Sequence, residues 1–223
     1  MLSYRNIYLL GTSHIAQESI DQVKEFIEAK KPEIIAVELD QKRVYALFHK
    51  RKLSIKDIKV LGVKGFLMNV IGAYIEKKLG KLVGVTPGSE MKTAIKLAKK
   101  QELTIALIDQ DIGITLKRLS KSITWKEKLR FIKEIIKGLI TRKPQIEPFD
   151  LRKTPPKEVI EKMIQMVKLS YPNVYKVLVE ERNHIMAKNL YSLMTNNPDK
   201  KIFAIVGAGH EEGIIKILKG NNR

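Results

Sequence analysis

Apolar and polar positions follow two rhythms along this chain. Short β-branched and aromatic runs occur just before Gly11, at Glu33 to Leu39, at Leu103 to Ile108 and at Ile202 to Val206, and they read as buried strands. Between them, apolar residues recur at helical spacing. Ile15 to Lys30 places Ile15, Ser19, Val23, Phe26 and Ile27 on one side and acids and lysines on the other, and Lys31-Pro32 ends it. A helix between two buried-type strands predicts a right-handed βαβ unit with parallel pairing of the first and second strands. Further helices are expected at Asp40 to Leu53, from Ser89 or Glu90 through Ala98, at Thr115 to Lys143, at Lys157 to Lys168 and at Asn173 to Met194. The fold class is therefore α/β: a small, mostly parallel sheet flanked by helices. Helical insertions fall at about residues 40–82 and 115–170 of one domain spanning residues 1–223. Ile58 to Ile75 is strongly apolar but broken by Lys59, Lys64 and Asn69, which suits a covered helix better than a membrane span. The intramolecular core is its first reading, with a homodimer interface or a lipid contact as the others.

One strand-to-helix pattern occurs twice. Asn6 to Ile20 carries Gly11-Thr12-Ser13-His14, and Lys201 to Ile215 carries Gly207-Ala208-Gly209-His210. Each is a strand, a tight turn and a helix start, so His14 and His210 fall in equivalent places. The glycines are expected to let the chain leave the strand through angles that a side chain resists. Each histidine then reaches the rim at the carboxyl end of the sheet, where open α/β sheets bind ligands. The positive end of a helix dipole keeps such an imidazole neutral, the form that accepts a proton or binds a metal. For an isolated copy the plainer reading is a capped turn. Two matched copies among only four histidines favour a shared site. Glu38 ends the second strand and Asp109-Gln110-Asp111 the third, pointing carboxylates at the same rim. Glu90 lies in the first turn of its helix, an ordinary place for an acid, with Ser89 or Thr86 available as cap. Glu181 and His184 make a Glu-x-x-His pair that reads first as a surface ion pair. His49 stands among basic residues.

Charge changes the picture more than composition does. Forty-two lysines and arginines against 24 acids give a formal net charge of +18. Ten basic and two acidic residues lie between Lys117 and Lys143, a segment that also holds Trp125, the chain's single tryptophan. Such a basic amphipathic helix suits an anionic membrane surface or a partner helix, and its plainer reading is a solvated face. Aromatics are only 6%, and no stacking motif or nucleic-acid module is present, so the charge does not read as nucleic-acid binding. Part of it fits the lysine-rich composition of proteins from hot environments. Cysteine is absent, which removes disulfides and thiolate ligands and fits a cytoplasmic placement.

Six motifs in order carry a family resemblance. Gly11-Thr12-Ser13-His14, Val37-Glu38-Leu39-Asp40 with Arg43, Pro87-Gly88-Ser89-Glu90-Met91, Asp109-Gln110-Asp111-Ile112, Glu181-Arg182-Asn183 with Met186-Ala187, and Gly207-Ala208-Gly209-His210 resemble the TraB/PrgY family. That family is related to Tiki metalloproteases and, more distantly, to erythromycin-esterase-like and haem-binding ChaN-like proteins with an α/β core. The resemblance implies divalent-metal-dependent peptide cleavage with the two Gly-x-x-His motifs involved, which here are His14 and His210. On that reading Glu38 or Glu90 is the third ligand of a manganese, cobalt or zinc ion, and the other glutamate is the general base. Arg43 and Arg182 would hold a substrate carboxylate or the developing oxyanion, and Asp109 and Ser13 would stand behind the ligands. The rival implied reading is a non-catalytic, membrane-associated module that binds a peptide or protein, since PrgY-like proteins shut down peptide-pheromone signalling. Family members commonly continue into apolar spanning helices, so a cytoplasmic domain anchored beyond Arg223 is a further expectation.

Overall fold

Five strands form one sheet in a computed structural model that describes residues 1–13, 17–49, 88–141 and 156–220. They are β1 (Leu2–Tyr4), β2 (Ile7–Thr12), β3 (Ile34–Val37), β4 (Thr104–Leu107) and β5 (Ile202–Gly207), in the spatial order β1-β2-β5-β3-β4. β1 is antiparallel to β2, and every other pairing is parallel. The sequence pattern misses β1, because three residues are too few for an alternation to register. Arg5, with φ 51°, turns the chain between β1 and β2.

The expected direct pairing of the first two long strands does not occur. β5 lies between them, with Ile7 beside Ile202 on one side and Ile34 beside Ile202 on the other. β5 is central, and all six of its residues are buried, as are all four of β3, which fits strands covered on both faces and paired on both edges. Ile202, Ala204 and Val206 point to one face and Phe203 and Ile205 to the other.

Helices cover both faces. α1 (Gln17–Lys30) and α3 (Ser89–Lys100) pack Val23, Ile27, Met91 and Ile95 beneath Phe203, which stacks on Phe26 with centroids 4.0 Å apart. Opposite, α8 (Glu181–Thr195) and α9 (Glu211–Gly220) supply Met186, Leu190, Ile214 and Leu218. α2 (Gln41–Phe48) is shorter than expected and ends at His49, whose backbone is extended. α3 is capped by Gly88 at φ 77° and not by Ser89. Ile58 to Ile75 lies outside the described residues.

Two long helical expectations are each interrupted. Thr115 to Lys143 divides into α4 (Ile112–Ser122) and α5 (Trp125–Thr141). Thr124-x-x-Glu127 makes the break: the Thr124 amide and hydroxyl both donate to Glu127 Oε2, and the Glu127 amide donates to Thr124 Oγ1 at 3.3 Å. This is a capping box, which restarts a helix wherever it falls. After α6 (Lys157–Ser170) and α7 (Pro172–Tyr175), a π-helical segment at Lys176–Glu180 precedes α8. Its wider turn changes the angle at which Arg182 and Asn183 leave the helix.

Candidate functional site

Parallel strands deliver their carboxyl ends to a single edge, and the helices that run back from them begin there. Thr12, Glu38, Asp109 and Gly207 to His210 therefore share a rim with the first turns of α3, α8 and α9. The rim is polar yet buried. Glu38, Asp40, Glu90, Asp109, Asn183 and His210 are each under a tenth exposed.

Arg182 is the hub. Its Nε donates to both oxygens of Asp109 at 3.3 and 3.0 Å, and its Nη2 donates to Asp109 Oδ2 at 2.6 Å and to Glu38 Oε1. Nη1 donates to the Leu178 carbonyl at 3.3 Å and to His210 Nε2 at 3.2 Å. All five guanidinium hydrogens are thus engaged. Burial works against its charge, but Glu38 and Asp109 outweigh burial and raise its pKa above the ordinary arginine value. Asp109 also accepts from Arg43 Nη2, and Arg43 Nε donates to Asp40 Oδ2 at 2.8 Å. Asp40 in turn caps α2 through the amides of Lys42 and Arg43, and accepts the Ile112 amide at 3.1 Å. Glu38 Oε2 accepts the Gly207 amide at 2.6 Å, which ties β3 to the end of β5.

His210 follows from these partners. Arginine can only donate, so Nε2 is the acceptor and Nδ1 carries the proton that it gives to Asn183 Oδ1 at 2.6 Å. Nε2 stands 3.5 Å from Glu38 Oε1. Asn183 approaches closely because α9 carries Gly213 opposite it, where an added Cβ would overlap the Asn183 amide.

The two Gly-x-x-His turns meet. Gly11 pairs with Val206 and Thr12 with Gly207, so the two motif glycines are one register step apart on adjacent strands. A Cβ on Gly11 would lie 3.0 Å from the Ala208 backbone, and the Gly11 amide donates to Glu211 Oε1 at 3.2 Å. Close approach, not a left-handed backbone, is what requires this glycine. Among the described residues only Gly88 is a glycine with positive φ, which corrects the expectation for Gly11 and Gly207. A cleft of about 300 Å³ opens beside the turns, lined by Gly11, Ala208, Gly209, Ile160 and Ile164 with Glu161 and Glu211.

The remaining candidates are placed as follows. His14 lies outside the described residues. The Ser13 amide donates to Ser19 Oγ at 3.0 Å. Glu90 is buried in the first turn of α3. Asp109 meets two arginines, and the residue that orients His210 is Asn183. Its position two residues after Glu181 gave no sequence signal beyond membership of a motif. Glu181 forms a two-armed ion pair with Arg118, both contacts at 2.6 Å, and His184 is exposed. His49 Nδ1 lies 3.0 Å from the Tyr45 carbonyl, with its ring stacked on Tyr45.

The donor set suits a divalent cation. Among the described residues, Glu38, Asp40 and Asp109 are met by two arginines, Arg43 and Arg182. The His210 ring is anchored through Nδ1, the nitrogen away from Arg182, as a second-nitrogen anchor orients an imidazole ligand. Among the described residues, however, no three histidine or carboxylate side chains gather closely enough to hold an ion. Arg182 donates to both His210 Nε2 and Glu38 Oε1.

A parallel sheet whose strand ends carry acids, crossed by two arginines and closed by a histidine turn, defines an α/β protein with one functional edge. The model of the TraB/PrgY/gumN family matches residues 3–221, and the chain belongs to that family. It is 41% identical over 219 residues to "Uncharacterized protein MJ1365" of Methanocaldococcus jannaschii, an alignment covering 96% of this chain and 53% of that protein. It is 23% identical over 236 residues to the TraB domain-containing proteins of Bos taurus and Homo sapiens, covering 94% of this chain and 62% of each. The chain thus spans between about half and three-fifths of the length of these relatives. Among the described residues no helix is long and apolar enough to cross a membrane.

Proposed function

We propose that the rim is a divalent-metal-dependent hydrolase site of peptidase type, with His210 Nε2 and Glu38 Oε1 as ligands. The observation that supports this reading is their 3.5 Å separation with the ring held by Asn183. Two donors on a tetrahedral ion at bond lengths of about 2.0–2.1 Å stand roughly 3.4 Å apart. His14, matched to His210 by the repeat, and Glu90 are the further ligand candidates. Manganese, cobalt or zinc suits nitrogen and oxygen donors without sulfur. When bound, such an ion acidifies a coordinated water toward hydroxide for attack on a peptide or ester carbonyl.

The residues of the chain prepare that chemistry. Asn183 Oδ1 accepts the hydrogen bond of the His210 Nδ1–H and so turns Nε2 inward. Asp109 holds Arg182 by three contacts, so the guanidinium keeps an anchor when it gives up His210 and Glu38 to an ion. Arg43 has no partner for Nη1 among the described residues, and its side chain is 25% exposed. It is the arginine available to a substrate carboxylate or developing oxyanion. The cleft beside Gly11 and Gly209 receives the substrate chain.

Elemental analysis and calorimetric titration with manganese and zinc test the reading, alongside peptide-library cleavage with and without added metal. Wild-type protein is expected to bind an ion and cleave only with it, and His210→Ala and Glu38→Gln to lose both while folding. A folded wild-type protein that binds no ion overturns the proposal. The full engagement of Arg182 favours a second reading, in which the network is complete without metal and the rim recognises a peptide or protein at a membrane. Metal-independent peptide binding without turnover is its signature.

A further inference from the structure

We infer that α5 is a docking helix for an anionic lipid surface, presenting its apolar stripe outward from the body of the protein. The stripe is Trp125, Leu129 and Ile132, spaced i, i+4, i+7, and these residues are 75%, 55% and 52% exposed. A helix that served only this fold would turn such a stripe inward. Among its described residues α5 does the reverse, and most of its inward contacts are polar.

Both acids of the described part of α5 are used against the protein. Glu127 is 5% exposed and accepts from Thr124 and from the Asn173 amide at 2.8 Å. Glu134 accepts the Tyr171 hydroxyl at 2.6 Å. Arg130 donates to the Ser170 carbonyl at 2.6 Å, and Phe131 meets the Tyr171 ring edge-on. What remains on the outside is apolar stripe and lysine. Lys126 and Lys133 border the stripe on one side, and Lys128 borders it on the other, with its ammonium 4.7 Å from the Trp125 ring centroid.

Charge decides the occupant. A second copy of the same face would oppose lysine to lysine, and an acid-free stripe offers such a copy no counter-charge. Phosphate headgroups above an acyl boundary match each part: anionic groups meet the lysines, the aliphatic side chains sink below them, and tryptophan takes the boundary. Leu169 on α6, next to the Ser170 whose carbonyl Arg130 grips, is also 70% exposed. The inference is independent of the chemistry at the rim.

Trp125 is the chain's single tryptophan, so intrinsic fluorescence reads this face directly. The full chain is mixed with vesicles of phosphatidylcholine containing phosphatidylglycerol, and with vesicles of phosphatidylcholine alone. A blue-shifted emission and co-sedimentation with the anionic vesicles only, both reversed by raised salt, are the expected results. Leu129→Asp with Ile132→Asp abolishes both at unchanged circular dichroism. Lys126→Glu with Lys133→Glu weakens partitioning by roughly tenfold or more. Absence of the shift on anionic vesicles overturns the inference, as does undiminished binding by either variant. A blue shift that follows protein concentration without lipid also overturns it, and assigns the face to a second copy.

Discussion

The rim of the sheet and the outer face of α5 break the same rule in opposite directions. At the rim, charged residues are buried and nearly every donor and acceptor is matched, with Arg182 spending all five hydrogens on Asp109, Glu38, His210 and Leu178. On α5, large apolar side chains are exposed, and Lys126 and Lys133 beside them are exposed as well. Ordinary cores and surfaces carry little functional information, whereas buried charge and exposed apolar stripes are the informative departures. The difference is energetic. Removing part of a satisfied buried network leaves orphaned charges, while removing part of an exposed stripe leaves the folded state almost untouched.

The contrast is broken most strongly at its hub. Arg182→Ala leaves Glu38 and Asp109 buried without their shared counter-ion and is expected to destabilise the fold by about 3–5 kcal/mol, measured by urea unfolding. A loss below 1 kcal/mol would mean that the network is not a structural unit. Next in size is Gly213→Ala. A helical alanine ordinarily gains up to about 1 kcal/mol over glycine, but here its Cβ meets the Asn183 amide, so a net loss of about 1–3 kcal/mol is expected. Pairing it with Asn183→Ala in a double-mutant cycle checks the cause, since the two losses should not add.

Smaller effects sharpen the contrast at the start of α5. Thr124→Ala removes half of the capping box and is expected to cost about 1 kcal/mol. Glu127 is subject to burial, which raises its pKa, but hydrogen bonds from Thr124 and Asn173 outweigh it and hold the carboxyl below the usual range. Arg118 does the same for Glu181, and Lys42 for Asp111. A carboxylate whose folded pKa is depressed stabilises the protein above its unfolded value and loses that contribution as pH falls through the folded one. Stability is therefore expected to decline below about pH 4.5, and Glu127→Gln to flatten the profile, as read from urea midpoints across pH. The smallest effect belongs to the exposed stripe: Leu129→Ser is expected to shift stability by less than about 0.5 kcal/mol in thermal melts.

Much of this was legible in the sequence, because period and composition act locally. Four of the five strands, their parallel direction and the placement of Glu38, Asp109 and His210 at one edge follow from strand ends and helix starts, while Arg43 and Arg182 were singled out by the family motifs. What stayed hidden depends on partners distant along the chain. β5 lies between β2 and β3 at the middle of the sheet, and a run of apolar residues cannot state which neighbours will bury it. Asn183 became the partner of His210 through the π-segment before α8 and through Gly213 on α9, neither of which announces a hydrogen bond 27 residues away. The break between α4 and α5 was readable in principle, since Thr124-x-x-Glu127 is a helix-start pattern, but continuous amphipathic spacing across it masked the signal.

The placement of β5 also governs when this protein can come into being. β2 and β3 leave the ribosome early, yet each waits for residues 202–207 to fill the gap between them. Until then the nascent chain carries two open strand edges, the state in which proteins most readily aggregate. Assembly of the sheet is thus a late event of high contact order, and the polar rim at its carboxyl edge cannot exist in any partial product of translation that stops short of Gly207.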